Sequence, residues 1–275
     1  MTAILITDQE FLHFQRFIHD AAGITLPSSK KALVASRLAC RVAEHGLGSY
    51  GQYLRLLMSQ AAPEEVQTAV DLLTTNETYF FREMKHFKLL RELALEARHR
   101  PTDSFRVWSA ASSSGEEAYS VAMVLADCLA DGPWEVVGSD ISARVLQRAR
   151  AAHYPMARAN HVPATYLKRF CLRGLDEYEG TLLVDRKLRS RVQFTQVNLN
   201  TTLPQLGTFD VIFLRNVMIY FNDETKRQVV LRMVSLLKPG GHFLIGHSES
   251  LNRVNDTLEQ VAPSIYRRPR GASAR

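Results

Sequence analysis

Cysteine is scarce in this 275-residue chain. Cys40, Cys128 and Cys171 stand far apart, which excludes a disulfide framework and fits a reducing compartment. Long apolar runs are missing too. The best, Val211–Phe221, is too short to span a bilayer and contains Arg215 and Asn216. The first residues, MTAILITDQE, lack the basic start and long apolar core of a secretory leader. No HExxH, CxxC or GxSxG occurs, and the loop that follows the strand Phe105–Trp108 lacks GxGxxG, so metal chemistry, serine-hydrolase chemistry and the glycine-fingerprint dehydrogenases find little support. Nucleic-acid-binding signatures are absent as well, and the basic residues behind the net charge of +6 are dispersed. What these absences leave is a cytoplasmic protein with no metal, no nucleic-acid partner and no membrane insertion.

What is present is an ordinary well-cored composition, 46% hydrophobic and 23% charged, with room for a large α/β domain and a smaller one. The chain is organised around Phe105–Ser120, FRVWSAASSSGEEAYS. A short apolar strand, Phe105–Trp108, runs into a small-residue loop and then a helix opening at Glu116. That order places backbone N–H groups and a positive helix end against a nucleotide-like ligand. A second strand, Trp134–Gly138, ends in Ser139–Asp140, where a carboxylate can take two ribose hydroxyls. Val192–Thr195 leads into VNLN (Val197–Asn200). Phe209–Leu214 is a continuous apolar run, typical of a parallel strand buried on both faces, and it ends in Arg215–Asn216. KPGG (Lys238–Gly241) reads as a tight turn before a strand at His242–Ile245, and Leu258–Val261 with Ser264–Arg267 as a closing hairpin. Strand ends at Trp108, Asp140, Asn198 and Asn216 gather on one carboxyl edge, where open α/β sheets bind ligands. Alternating charges between Cys171 and Val192 predict a small inserted β-hairpin.

Ahead of this domain the pattern is helical. Thr7 and Asp8 cap a helix ended by Gly23, and others fit Pro27–Glu44, Tyr50–Ser59 and Pro63–Leu73. On the second of these, Lys30, Arg37 and Arg41 fall within about 40° of one another, either a solvated face or a docking stripe for an acidic helical partner. TTNETYFFRE (Thr74–Glu83) gathers Asn76, Thr78, aromatics and Arg82, either as a helix cap with core aromatics or as a ligand lip. Glu116 and Glu117 sit where a helix dipole favours anions, and either can serve a cationic or hydroxyl group of a ligand. His247, in GHSE, reads as a turn residue.

TTNETYFFRE, SAASSSGEEAYS, GSDIS, VNLN, FDVIFLRNVMIYF, LLKPGGHFLIGHSES and the terminal apolar hairpin stand in the order found in CheR-type chemotaxis receptor methyltransferases. The resemblance covers about residues 8–268. It implies a doubly wound, Rossmann-like S-adenosylmethionine methyltransferase sheet (residues 86–275), an N-terminal all-helical domain (1–85) and a small inserted β-subdomain at about 171–192. The implied activity is methylation of glutamate side chains on the cytoplasmic helices of bacterial chemoreceptors, giving glutamate methyl esters and S-adenosylhomocysteine. Carried over, Asn76, Thr78 and Arg82 resemble cofactor contacts, with Arg82 on the methionine carboxylate. Ala111–Gly115 and Glu116 or Glu117 resemble the binding turn, and Asp140 the ribose ligand. Asn198 and Leu199 resemble adenine-side contacts, with Asn216 and Val217 after the fourth strand. Tyr220 matches an aromatic near the transferable methyl, and Arg98, by spacing alone, the arginine that holds the substrate glutamate. Ala118 departs from the proline found in many relatives after GEE. The resemblance turns Lys30/Arg37/Arg41 into a receptor-facing stripe. It also implies a monomer recruited to receptor arrays, with an inserted hairpin like the one that, in some relatives, adds the receptor's C-terminal peptide as a strand.

Overall fold

The computed structural model describes residues 4–59, 62–98 and 104–270. Helical periodicity governs the first part. Helix α1 (Asp8–Ala22) starts at a reciprocal cap: the Thr7 hydroxyl accepts the Glu10 N–H, while the Glu10 carboxylate accepts the Thr7 N–H at 2.8 Å. It ends at Gly23 with φ 73°, and a Cβ there would come within 2.8 Å of Thr225. Helices α2 (Lys31–Glu44), α3 (Tyr50–Met58) and α4 (Pro63–Leu73) complete a bundle whose core includes Phe14, Ile18, Leu38, Tyr53 and Ala69.

The basic stripe is not the free face that the spacing predicts. Arg37 donates to the carbonyls of Leu73 at 2.9 Å and Thr74 at 3.0 Å, closing the C-terminus of α4. Arg41 pairs with Glu65, whose carboxylate also accepts the Tyr53 hydroxyl at 2.5 Å. Lys30 alone of the three is exposed. The neighbouring helix supplies partners that periodicity on α2 cannot reveal.

That pair has a pH signature. Hydrogen bonding from Arg41 is the largest influence on Glu65; it outweighs burial and holds the carboxyl down at about 2, below its ordinary 4.5. A depressed folded-state value stabilises the fold at pH above the unfolded value and is lost as pH falls through the folded one. In chemical denaturation, the stability gap between wild type and Glu65→Gln therefore narrows as pH drops from about 5 to about 2. A gap independent of pH over that window contradicts the pairing.

After α5 (Met84–Ala97) the period becomes that of an α/β domain. The elements are β1 (Phe105–Ser109), α6 (Glu116–Leu129), β2 (Trp134–Asp140), α7 (Ala143–Ala151), β3 (His153–Pro155), α8 (Ala164–Phe170) and β4 (Cys171–Arg173). They continue through β5 (Thr181–Val184), α9 (Arg186–Arg189), β6 (Val192–Gln196), β7 (Phe209–Leu214), α10 (Asp223–Ser235), β8 (Leu237–Ile245), β9 (Glu259–Ala262) and β10 (Ile265–Arg267). The main sheet has the order β6-β2-β1-β7-β8-β10-β9, parallel through β8 and antiparallel beyond. Val107 registers with Val136 on one side and Val211 on the other, and because Val107 and Trp108, on opposite faces, are both fully buried, the central strands are covered on both faces. The chain reverses its winding between β1 and β7. KPGG is not a separate turn; it lies within β8 at a register shift against β7.

The inserted β-element also differs from the expected hairpin. It is a three-stranded antiparallel sheet, order β3-β5-β4, which recruits His153–Pro155 from before the stretch whose alternation marks it.

Polar latches tie the helical bundle to the carboxyl edge of the main sheet. The Thr25 N–H donates to the Tyr220 carbonyl at 2.7 Å, and the Asn198 amide to Ala21 O at 2.7 Å. Asp71, on α4, accepts the N–H groups of Ala143 and Arg144 at 3.1 Å, capping α7 from outside.

Candidate active site

At the end of β1 the chain turns through small residues, held in a fixed curl. The Ser112 N–H donates to Ser139 O at 2.8 Å, and the Trp108 indole to Ser139 Oγ at 2.9 Å, so β1 and β2 end together. Asp140 then accepts the Ser113 N–H at 2.9 Å through one carboxylate oxygen and the Ser142 N–H at 3.0 Å through the other. Each oxygen keeps a lone pair for a ligand. Burial pushes the Asp140 carboxyl up, against the pull of those two amides.

Opposite it, Arg215 is 1% exposed and bridges two carboxylates, Glu117 at 2.7 Å and Glu83 at 3.0 Å. It also donates to the Arg82 carbonyl, fixing the segment that carries Arg82. Glu117 further accepts the Ser109 hydroxyl at 2.7 Å. Arg82 itself points differently: it donates to Glu77 O at 3.3 Å and lies 5.6 Å from the Tyr79 ring, and among the described residues it has no carboxylate partner. Asn216 stands at φ 57°, where its N–H meets Glu249 at 2.9 Å. The same Glu249 oxygen accepts the Gly246 N–H at 2.7 Å, and a Cβ on Gly246 would sit 2.5 Å from the Asn216 amide nitrogen.

One cavity brings most of the expected residues together. Asn76, Thr78, Arg82, Ala111, Glu117, Asp140, Asn198, Leu199, Asn216, Val217 and Tyr220 line it, with Lys30 at its bundle side. Leu26, Leu33, Ile141 and Leu199 give it an apolar part.

Other expected residues are not there. Glu116 is fully buried, held by Arg158 at 3.0 Å and by the Ser114 hydroxyl at 2.7 Å. Of the two carboxylates, Glu117's is the one that lines the cavity. Gly115 packs against α7, where a Cβ would approach that of Ala149 to 2.9 Å. Asn198 lines the cavity, but its amide is committed to Ala21 O and, through its oxygen, to the Asn200 N–H at 2.9 Å. Arg98 is exposed at the C-terminal end of α5, outside the cavity lining. From there the chain leads to the amino end of β1, whereas the cavity lies at the carboxyl end. Arg98→Ala should leave both activity and ligand affinity within about twofold, as surface changes usually do. A selective loss of activity in a rate assay contradicts this placement.

Sequence reasoning missed Arg215, the Ile24–Pro27 linker that walls the cavity, and Glu249. A charged residue directly after a strand buried on both faces was a usable signal for Arg215. The linker carried none.

Known proteins resemble the chain along nearly its whole length. Residues 9–74 match the CheR methyltransferase all-alpha domain, and residues 76–266 the CheR methyltransferase SAM binding domain. A chemotaxis protein methyltransferase of Escherichia coli (strain K12) is 40% identical over 268 residues, covering 96% of this chain and 92% of that protein. Chemotaxis protein methyltransferase 2 of Pseudomonas aeruginosa is 42% identical over 265 residues, with 94% and 93% covered.

Proposed function

The chain belongs to the CheR methyltransferase family, and from that premise we propose that it moves the methyl group of S-adenosylmethionine onto glutamate carboxylates on the cytoplasmic helices of bacterial chemoreceptors. The products are glutamate methyl ester and S-adenosylhomocysteine. The protein is an S-adenosylmethionine-dependent enzyme of chemotaxis.

The residues present suit that cofactor. Asp140 offers two carboxylate lone pairs to a ribose diol, and the Arg82 guanidinium, which has no carboxylate partner among the described residues, suits the methionine carboxylate. Glu117 suits its ammonium group, Asn76 and Thr78 its polar flank, and Ile141 and Leu199 the adenine faces. Bound there, the cofactor supplies an electrophilic methyl on a positive sulfur.

A glutamate carboxylate is ionised at neutral pH and is already the nucleophile, so the chain supplies no base. Its contribution is alignment of the carboxylate oxygen with methyl and sulfur, together with exclusion of water by the bundle that roofs the cavity. Tyr220, with Asn216 and Val217, shapes the wall where the methyl is presented. With Arg98 remote, Arg82 given to the cofactor's carboxylate and Arg215 engaged by Glu83 and Glu117, the lining cation left for an incoming carboxylate is Lys30. A site that gripped that carboxylate too tightly would blunt its attack, which favours partly exposed cations over buried ones.

Around the site, the reading is a monomer working in the cytoplasm at receptor arrays. Lys30 faces the acidic receptor helices, while Arg37 and Arg41 hold the bundle that presents it. Strands β3 and β4 are the edges of the small sheet, and Leu172 and Leu175 are exposed beside β4. That edge suits strand addition by a receptor's C-terminal peptide, which would raise the effective substrate concentration.

The observation that carries the reading is that Asp140 and Arg82, nearly sixty residues apart in sequence, line one cavity at the carboxyl edge. Calorimetric titration with S-adenosylhomocysteine tests it. One site per chain is expected, and absence of binding overturns the assignment.

A further inference from the structure

Behind the cavity wall, Glu83, His86 and His247 gather three metal-ligating side chains whose ligand atoms all lie within 4.8 Å of one another. Glu83 begins α5 with φ 61°, and its Oε2 stands 3.5 Å from His86 Nδ1 and 3.7 Å from His247 Nε2. Its other oxygen accepts the His247 N–H at 3.2 Å, which fixes that histidine's backbone over the pair. The two imidazole rings meet edge to face, with centroids 5.7 Å apart.

His86 is the informative member. It is fully buried, and its Nε2 lies 2.9 Å from Ser264 Oγ, whose own hydroxyl donates to Pro263 O at 2.6 Å. That contact accommodates the tautomer with its proton on Nε2, the one a metal at Nδ1 requires. In it Nδ1 carries a lone pair; among the described residues Nδ1 has no hydrogen-bond partner, and it lies 3.5 Å from a Glu83 oxygen. Two lone pairs facing each other across that gap attract a cation between them. The two distances from Glu83 suit a small one, since zinc bonds of about 2.0–2.1 Å in tetrahedral geometry put ligand atoms roughly 3.4 Å apart; with the cluster spanning up to 4.8 Å, the exposed His247 side chain would close in on the ion.

We propose that Glu83, His86 and His247 form a binding site for a divalent transition metal of the zinc type, apart from the methyl-transfer chemistry. Two imidazoles and one carboxylate are a borderline donor set that favours zinc over calcium or magnesium. His247, 52% exposed at its side chain, provides the way in and leaves a fourth position to water. Arg215 sets the limit on affinity. Its guanidinium lies 3.0 Å from the same Glu83 oxygen, so the metal shares that carboxylate with a cation anchored on Glu117.

Titrating the full chain with zinc chloride alone, without cofactor, tests this by calorimetry. One zinc per chain is expected. His247→Ala, an exposed change that leaves the buried pair in place, should weaken binding by about tenfold or more, and Glu83→Gln likewise. With cobalt(II) as the probe, the wild type should give the intense visible absorption of a four-coordinate site, and His247→Ala should lose it. Failure to bind zinc stoichiometrically, the weak spectrum of six-coordinate cobalt, or affinity unchanged in His247→Ala would each overturn the proposal.

Discussion

Asp140→Asn should weaken S-adenosylhomocysteine binding by about 100-fold, the largest loss of affinity expected from one change in the cavity. The carboxylate holds one backbone amide on each oxygen, Ser113 and Ser142, at 2.9 and 3.0 Å. Its spare lone pairs lie at the cavity proposed for the cofactor. An amide side chain has one acceptor fewer, so its NH2 group must confront one of those N–H donors in a site only 7% exposed. The ribose meanwhile loses a charged acceptor. Hydrogen bonds to charged groups contribute roughly 1.5–3 kcal/mol each, and losing about 3 kcal/mol lowers affinity about 100-fold. Titration of the variant with S-adenosylhomocysteine reads this directly. An affinity within about threefold of wild type would mean that the ribose does not meet this carboxylate.

Arg215→Met should carry the largest cost in stability. The guanidinium is 1% exposed and neutralises Glu117 and Glu83, which are 12% and 10% exposed at their side chains. Burial raises the Glu83 carboxyl, while Arg215 first and then His247 hold it below its ordinary value. Methionine fills similar space but strands both carboxylates. Breaking a buried pair by removing one partner costs about 3–5 kcal/mol. At roughly 2–4 °C per kcal/mol for a chain of this size, Tm should fall by about 10 °C in differential scanning calorimetry. Adding Glu83→Gln to Arg215→Met should recover part of the loss, because the two residues share one interaction. A drop below about 3 °C, or strictly additive effects in the double variant, contradicts the bridge.

The sheet was legible because burial on both faces leaves a simple trace: apart from Arg106 and Asp210, every residue of Phe105–Trp108 and Phe209–Leu214 is apolar and buried. The site followed from one rule, that ligands gather where such strands end. What escaped was any property set by a second element. Arg37 and Arg41 share a face of α2, but Glu65 and the carbonyls that take them belong to α4. Glu116 and Glu117 are neighbours in sequence, and about 100° of helical rotation separates their directions, one toward Arg158 and one toward the cavity. Arg98 was matched on spacing, which carries no information about which end of the sheet it reaches. Strand β3 is three residues long and pairs with Thr181–Leu183 far along the chain, so no local alternation marks it. The His86 lone pair is likewise invisible in sequence, since Ser264 and Glu83 arrive from opposite ends of the domain.

The central claim is that the cavity between the helical bundle and the sheet edge presents a methyl group to glutamate side chains. Incubating the protein with methyl-labelled S-adenosylmethionine and the cytoplasmic domain of a chemoreceptor measures it most directly. The account predicts label on receptor glutamates, released as methanol by mild base and absent with Asp140→Asn at low cofactor concentration. Label that survives base, or none at all from a protein that binds S-adenosylhomocysteine, contradicts it.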